Sequence, residues 1–279
     1  YCCIHHIALD GYGTTLLFQR IADIYSALAC GSDIPAADWG SFAELLDEEA
    51  SRVASGSENA TRAYWLERLA GAKEPASFSD AKAPIAARFL RQSCRLPAIL
   101  WQQIQELALA LKVSWADLLL AAISSQLSLY SARSESTLGL MVMNRIGSAS
   151  LRLPCMQMNI VPLHLELDGS RTLGELAKHV ARVKREMRKH QHYRYEWLRR
   201  DVGRVGGQQR LFGPLINIMP FDHPLHYGGI PAQTMNISAG PVEDLTIEVH
   251  IDAKGEPYLD YDANPACYDA DMLVQLQQE

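Results

Sequence analysis

The chain has 279 residues, 48% of them hydrophobic, and a formal net charge of −6. That is enough apolar material for one large domain or two small ones, and the acidic balance argues against nucleic acid as the main partner. The longest apolar runs, such as Leu118 to Ile123, fall far short of a membrane span, and the chain opens without a basic leader, so a cytoplasmic location and no membrane partner are expected.

Tyr1 to His6 reads as a short strand, with Cys2, Ile4 and His6 on one face and Cys3 and His5 on the other. Asp10-Gly11 reads as a turn, followed by a helix from near Thr14 with Leu16, Leu17, Ile21, Ile24 and Leu28 at helical spacing. Trp39 to Ala54 and Ala60 to Ala70 read as helices, with Trp39 and Trp65 as core residues, and Lys73 to Pro84 as a linker. A strand is expected over Ala86 to Leu96, and Pro97 opens a helix to about Leu111. Ser114 and Asp117 form a capping box for the helix Trp115 to Tyr130, which is apolar nearly all round and therefore buried. Strands follow at Thr137 to Met143 and Asn159 to Leu167. A long basic helix then runs from Leu173 to Gln191 with Leu176, Val180, Val183 and Met187 inside, and a short one covers Tyr195 to Val202. Further strands are expected at Leu215 to Pro220, Gln233 to Ser238, Leu245 to Asp252 and Pro257 to Tyr261, before a last helix from near Asp269. The pair Glu243-Asp244 reads as solvated. Strands mixed with helices, several in a row at the end, indicate an α+β layered fold with a mixed sheet.

Chemistry concentrates in His5-His6-Ile7-Ala8-Leu9-Asp10-Gly11, the pattern His-His-x-x-x-Asp-Gly. A histidine at the mouth of a strand can take a proton from an attacking amine or hydroxyl near neutral pH. A carboxylate in the following turn orients the imidazole or nearby loops, or binds a cation such as an arginine. Gly11 would allow a tight turn and close approach to a substrate. Cys2, Cys3, His5 and His6 resemble a metal-ligand cluster, but strand alternation splits them, and the six cysteines (Cys2, Cys3, Cys30, Cys94, Cys155, Cys267) lack zinc spacing or disulfide density. No metal site is expected, and the cysteines read as reduced thiols.

Later segments extend the heptad into an ordered set. Cys155 to Leu163 places Asn159 ahead of Ile160-Val161-Pro162, His190 to Glu196 follows, and Arg200 to Arg204 comes last. Together these resemble the motifs of nonribosomal peptide synthetase condensation domains, with His192, Arg194 and Tyr195 departing from the family's His-Gln-Asp-x-Pro-Phe-Glu. Met143 to Ala149, Leu211-Phe212-Gly213-Pro214 and Ala239 to Leu245 more narrowly resemble condensation domains of serine-activating siderophore synthetases of the enterobactin type.

The resemblance implies a chloramphenicol acetyltransferase-like α/β sandwich, the fold of CoA-dependent acyltransferases, of which this chain would be mainly the C-terminal lobe. Residues 1–30 would be the last strand and helix of the N-terminal lobe, 31–84 bridging helices and linker, and 85–279 the C-terminal lobe. The rest of the N-terminal lobe would be absent, and with it the arginine that the family pairs with the heptad aspartate. Asp10 is therefore expected to lack its usual partner. The implied reaction joins a carrier-bound acyl or peptidyl thioester to a carrier-bound aminoacyl amine. Both ride on 4'-phosphopantetheine arms, and no cofactor is bound by the chain itself. Implied partners are donor and acceptor peptidyl or aryl carrier domains and an adjacent adenylation domain. His6 would act on the amine or on the tetrahedral oxyanion, His5 would support it, Asp10 would anchor a salt bridge, and Gly11 would present its N–H near the reacting centre. Arg145, Asn159, Gly240 and Pro241 would line the substrate tunnel. Two alternatives stay open: a non-catalytic fragment that docks carrier proteins, and a related acyltransferase using coenzyme A thioesters.

Overall fold

The structure, a computed structural model, describes residues 2–71, 73–167, 169–204, 210–219, 225–232, 241–252 and 255–279. The expected strand Gln233 to Ser238 and the site candidate Gly240 lie outside these residues. The chain's contacts group into two compact units, each assembled from separated stretches.

The first unit holds residues 1–61, 142–159 and 222–237. Its helix α1, Gly11–Cys30, starts earlier than expected because Asp10 is its N-cap, and it stops at Gly31, which takes a left-handed φ of 66°. Helix α2, Phe42–Ala54, is capped by Ser41 and buries Leu45. Leu45 meets Leu153 and Cys155 in a small apolar cluster. A short 3₁₀ turn, Ala149–Arg152, is tied to α2 by Glu48, which accepts from Ser148 Oγ at 2.7 Å and Ala149 N at 2.8 Å. These two bonds hold the Glu48 carboxyl below its ordinary range. Trp39, expected in the core, is 43% exposed.

No strand forms at residues 2–8: residues 2–5 are irregular and His6–Ala8 is a turn. A strand persists only where a neighbouring strand accepts its backbone hydrogen bonds, and no described strand pairs with this stretch.

The second unit holds residues 62–141, 160–221 and 238–279. Helix α3, Ser57–Arg68, buries Trp65 completely, and the indole N–H donates to the His190 carbonyl at 3.0 Å. A six-stranded sheet has the order β1-β8-β7-β4-β2-β3. Its strands are β1 (Leu90–Arg95), β2 (Glu135–Val142), β3 (Asn159–Glu166), β4 (Leu215–Met219), β7 (Leu245–Ile251) and β8 (Pro257–Ala263). Strand β4 runs parallel to β2 and β7, whereas β8 runs antiparallel to β7 and β1, so the sheet is mixed as expected. A separate hairpin, β5 (Leu225–Tyr227) with β6 (Ile230–Ala232), belongs to the first unit and was not anticipated. Its Gly228-Gly229 pair, at φ 59° and 84°, was the available signal.

Helices α4 (Ala98–Leu111), α5 (Trp115–Ser131), α6 (Leu173–Arg188), α7 (Tyr195–Asp201) and α8 (Ala270–Gln278) complete the order. The Ser114–Asp117 capping box forms as expected and α5 buries Leu118, Leu120, Ala121, Ile123 and Leu127. Helix α6 buries Leu176, Val180, Val183 and Met187, the positions that its spacing predicts. Asp244 corrects another expectation. It is 4% exposed, ion-paired with Arg210 at 2.6 Å and bonded by Ser77 and Tyr268, because the bend before β7 turns it inward. Among the described residues, no single helix is long and apolar enough to cross a membrane.

His164 on β3 shares a 2.9 Å hydrogen bond with Thr137 on β2. Burial, aided by the Arg68 guanidinium, holds its imidazole below the ordinary range. The unfolded ring takes up its proton near pH 6.5, roughly, and the folded ring does so only at lower pH. Its contribution to stability is therefore complete above that pH and is lost as pH falls towards the folded value. Urea unfolding should show stability declining below about pH 6.5, with a shallower decline in His164→Gln. An identical decline in both proteins would remove His164 as the cause.

Candidate active site

The heptad lies in the first unit, where its carboxylate sits at the centre of a buried cluster. Asp10 is 3% exposed, although it directly precedes a helix. As N-cap, its Oδ1 accepts from Gly13 N at 2.8 Å. Its Oδ2 accepts from the backbone N–H groups of Gln157 and Met158, both at 2.9 Å. Arg145 Nη2 donates to Oδ1 at 2.8 Å and to Oδ2 at 2.9 Å. With five hydrogen bonds from four donor groups on two oxygens, the carboxylate's acceptor capacity is filled.

This overturns the expectation that Asp10 lacks an arginine. The partner is Arg145, itself 0% exposed. Its guanidinium is used on protein groups: Nη2 also donates to Cys155 O at 2.6 Å, and Nη1 donates to Leu153 O at 2.8 Å and to Ser150 O. Arg145 therefore anchors Asp10 and is not positioned to contact a substrate, which corrects its expected place lining a tunnel. The Tyr12 ring lies 5.1 Å from the guanidinium carbon, and the Tyr12 hydroxyl donates to Leu151 O at 3.1 Å. Asn144, just after β2, is left-handed at φ 55°, a conformation that asparagine tolerates better than most residues.

The histidines sit on the turn that leads into this anchor. Ala8 N donates to His5 O at 2.9 Å, and Ile7 N donates to His5 Nδ1 at 3.1 Å. Since Nδ1 accepts, the neutral His5 ring carries its proton on Nε2. His6 is exposed in the turn, and its ring has no hydrogen-bond partner among the described residues. Gly11 opens α1 instead of a separate turn, so its N–H is one of the helix's unpaired N-terminal donors. Asn159 is buried at the start of β3, directly after the Gln157–Met158 amides that hold Asp10. Pro241 is exposed in the other unit, before Val242, whose backbone bridges Ala86.

Gly13, Gln157, Met158 and Tyr12 are the site residues that motif reading missed. Gly13 had a signal of its own, three residues after a capping aspartate. A Cβ at Gly13 would lie 2.7 Å from Cys155 O and 3.3 Å from Asp10 Oδ1. Gly13→Ala should therefore cost about 1–3 kcal/mol through overpacking, read as a lowered urea midpoint. An unchanged midpoint would show that the anchor tolerates the methyl group.

A mixed sheet layered with helices gives the chain a chloramphenicol acetyltransferase-like architecture, and its histidine turn leads into a buried aspartate–arginine pair. The chain belongs to the condensation domain family, whose model, Condensation domain, matches residues 1–278. It is 40% identical over 279 residues to an isonitrile lipopeptide synthase of Streptomyces coeruleorubidus, covering 100% of this chain and 19% of that protein. It is 34% identical over 274 residues to enterobactin synthase component F of Escherichia coli O157:H7, covering 97% of this chain and 21% of that protein. Among solved structures, it matches the starter condensation domain of rhizomide synthetase in complex with C8-CoA and Leu-SNAC at a TM-score of 0.88. That match has 34% identity and covers 98% of this chain and 62% of that one. The chain thus spans about a fifth of the curated relatives and about three-fifths of the solved domain.

Proposed function

We propose that this chain carries the catalytic histidine of a nonribosomal peptide synthetase condensation domain, which forms an amide between a carrier-bound acyl or peptidyl thioester and a carrier-bound aminoacyl amine. The observation that supports this reading is His6, presented on an exposed turn whose following residue pair, Leu9-Asp10, leads into a fully bonded buried carboxylate. The amine nitrogen attacks the thioester carbonyl, the carbon–sulfur bond breaks, and the thiol is left on the donor's phosphopantetheine arm. The His6 imidazole accepts the proton that the amine loses or donates a hydrogen bond to the developing oxyanion. Asp10 does not act as the base, since both of its oxygens are occupied. Much of the rate comes from bringing two tethered reactants together.

Donor and acceptor peptidyl or aryl carrier domains and an adjacent adenylation domain are the partners, and the setting is the cytoplasm. The enterobactin relative supports a siderophore or similar capped peptide as product. The rhizomide starter domain, solved with C8-CoA, supports a second reading in which the donor is an acyl-CoA.

The test is amide formation from acyl-loaded and aminoacyl-loaded carriers, with acyl-CoA as the alternative donor. It is run on this chain and on the chain extended to the length of the solved domains. Product from carriers that disappears with His6→Ala supports condensation. Product from acyl-CoA alone moves the assignment to the second reading. Carrier binding with no product in either form would leave a docking module.

A further inference from the structure

We propose that Glu248, His250 and Asp260 bind one divalent transition-metal ion on the face of the sheet opposite Ile247 and Val249. Alternation along β7 buries Ile247 and Val249 and turns Glu248 and His250 to the other face. Asp260 on β8 stands directly across from Glu248 in the β7–β8 register. Two carboxylates facing each other across strands destabilise a sheet, and burial increases the cost. Here the Glu248 side chain is 8% exposed and that of Asp260 11%.

The donor atoms converge. One from each residue lies within 4.8 Å of the other two. His250 Nε2 is 3.6 Å from Glu248 Oε2 and 3.6 Å from Asp260 Oδ2. These separations are too long for hydrogen bonds. They approach the spacing of about 3.4 Å between ligands that each hold a tetrahedral ion at about 2.0–2.2 Å. Glu248 Oε2 and His250 Nε2 are both buried without a hydrogen-bond partner, and both point into this gap.

Charge and orientation agree. Arg91 is bound principally to Asp262 at 2.6 Å and lies farther from Glu248, at 3.7 Å, and from Asp260, at 3.9 Å. One guanidinium against these three carboxylates leaves an excess of two negative charges, which a divalent ion neutralises. The His250 ring stacks on Tyr258 at 4.6 Å and 8°, and Ser93 Oγ donates to Asp260 Oδ1 at 2.5 Å, so two of the three ligands are already oriented. One imidazole nitrogen with two carboxylate oxygens suits zinc, cobalt or manganese better than calcium or magnesium. The bound ion would fasten β7 to β8.

Cobalt(II) titration of the full chain after chelator treatment tests this, followed by zinc competition. The expected result is one cobalt per chain, no thiolate-to-cobalt charge-transfer band, displacement by zinc, and a raised thermal midpoint with either ion. His250→Ala and the near-isosteric Glu248→Gln should each weaken binding by about tenfold or more and remove the midpoint shift. Glu248→Gln keeps the test usable should His250→Ala fail to fold. A thiolate band, which would mean ligation by a cysteine, or binding undiminished in these variants would place the ion elsewhere and overturn the proposal. Absence of saturable binding would also overturn it.

Discussion

Arg145→Met should lower the free energy of unfolding by about 3–5 kcal/mol, the usual cost of removing one partner of a buried ion pair. The arginine is fully buried, and its loss strands more than one group: the Asp10 carboxylate loses its only cation among the described residues, and the carbonyls of Leu153 and Cys155 lose a donor. The three backbone amides on Asp10 remain, so the protein should still fold. Arg145→Lys should recover only part of the loss. A single ammonium cannot reach Asp10 and Leu153 O together, whereas the planar guanidinium serves them from separate nitrogens. Amide formation should fall with stability in both variants, since a shift of about 1 Å in a catalytic group can cost about 100-fold. Urea unfolding of both variants is the measurement. A loss below about 1 kcal/mol for Arg145→Met, the level of an exposed pair, would show that the pair is not the anchor described.

His6→Ala should show the opposite pattern, with activity lost and stability kept. General acid–base assistance is worth about 10²–10⁴-fold, and the turnover of carrier-bound substrates should drop by that factor. The ring is exposed and without a partner among the described residues, so unfolding should change by no more than about 0.5 kcal/mol. His5→Ala is the informative companion. It removes the acceptor for Ile7 N and loosens the turn without removing the reacting ring, so its effect on rate should be smaller. Equal losses in the two variants would make the histidines a structural pair. A His6→Ala protein with full activity would remove His6 from the chemistry.

How legible these features were depends on the range of the interaction that makes them. The start of α5 follows from Ser114 and Asp117, whose bonds span three residues. The buried stripe of α6 follows from helical spacing alone. The early start of α1 was also a local matter, since an aspartate that caps Gly13 N begins a helix where Asp-Gly suggests a turn. The strand expected over Tyr1 to His6 failed for the reverse reason. Alternation shows which face a strand would bury, but only a neighbouring strand can satisfy its backbone.

The sequence by itself determined the residue types of the site, the family to which the chain belongs, and the helices that carry their own caps and periodicity. Propensity, capping and side-chain alternation act within a few residues of chain, so they can be read along it. Only the tertiary structure decided that Asp10 meets Arg145 across 135 positions of sequence, that Glu243-Asp244 places one acid inside, and that Glu248 faces Asp260. In each case a charged group has left water, and its cost is offset only by partners that packing brings within hydrogen-bond or ion-pair distance. A residue's own neighbours in the chain carry no record of which distant strand or loop will supply them.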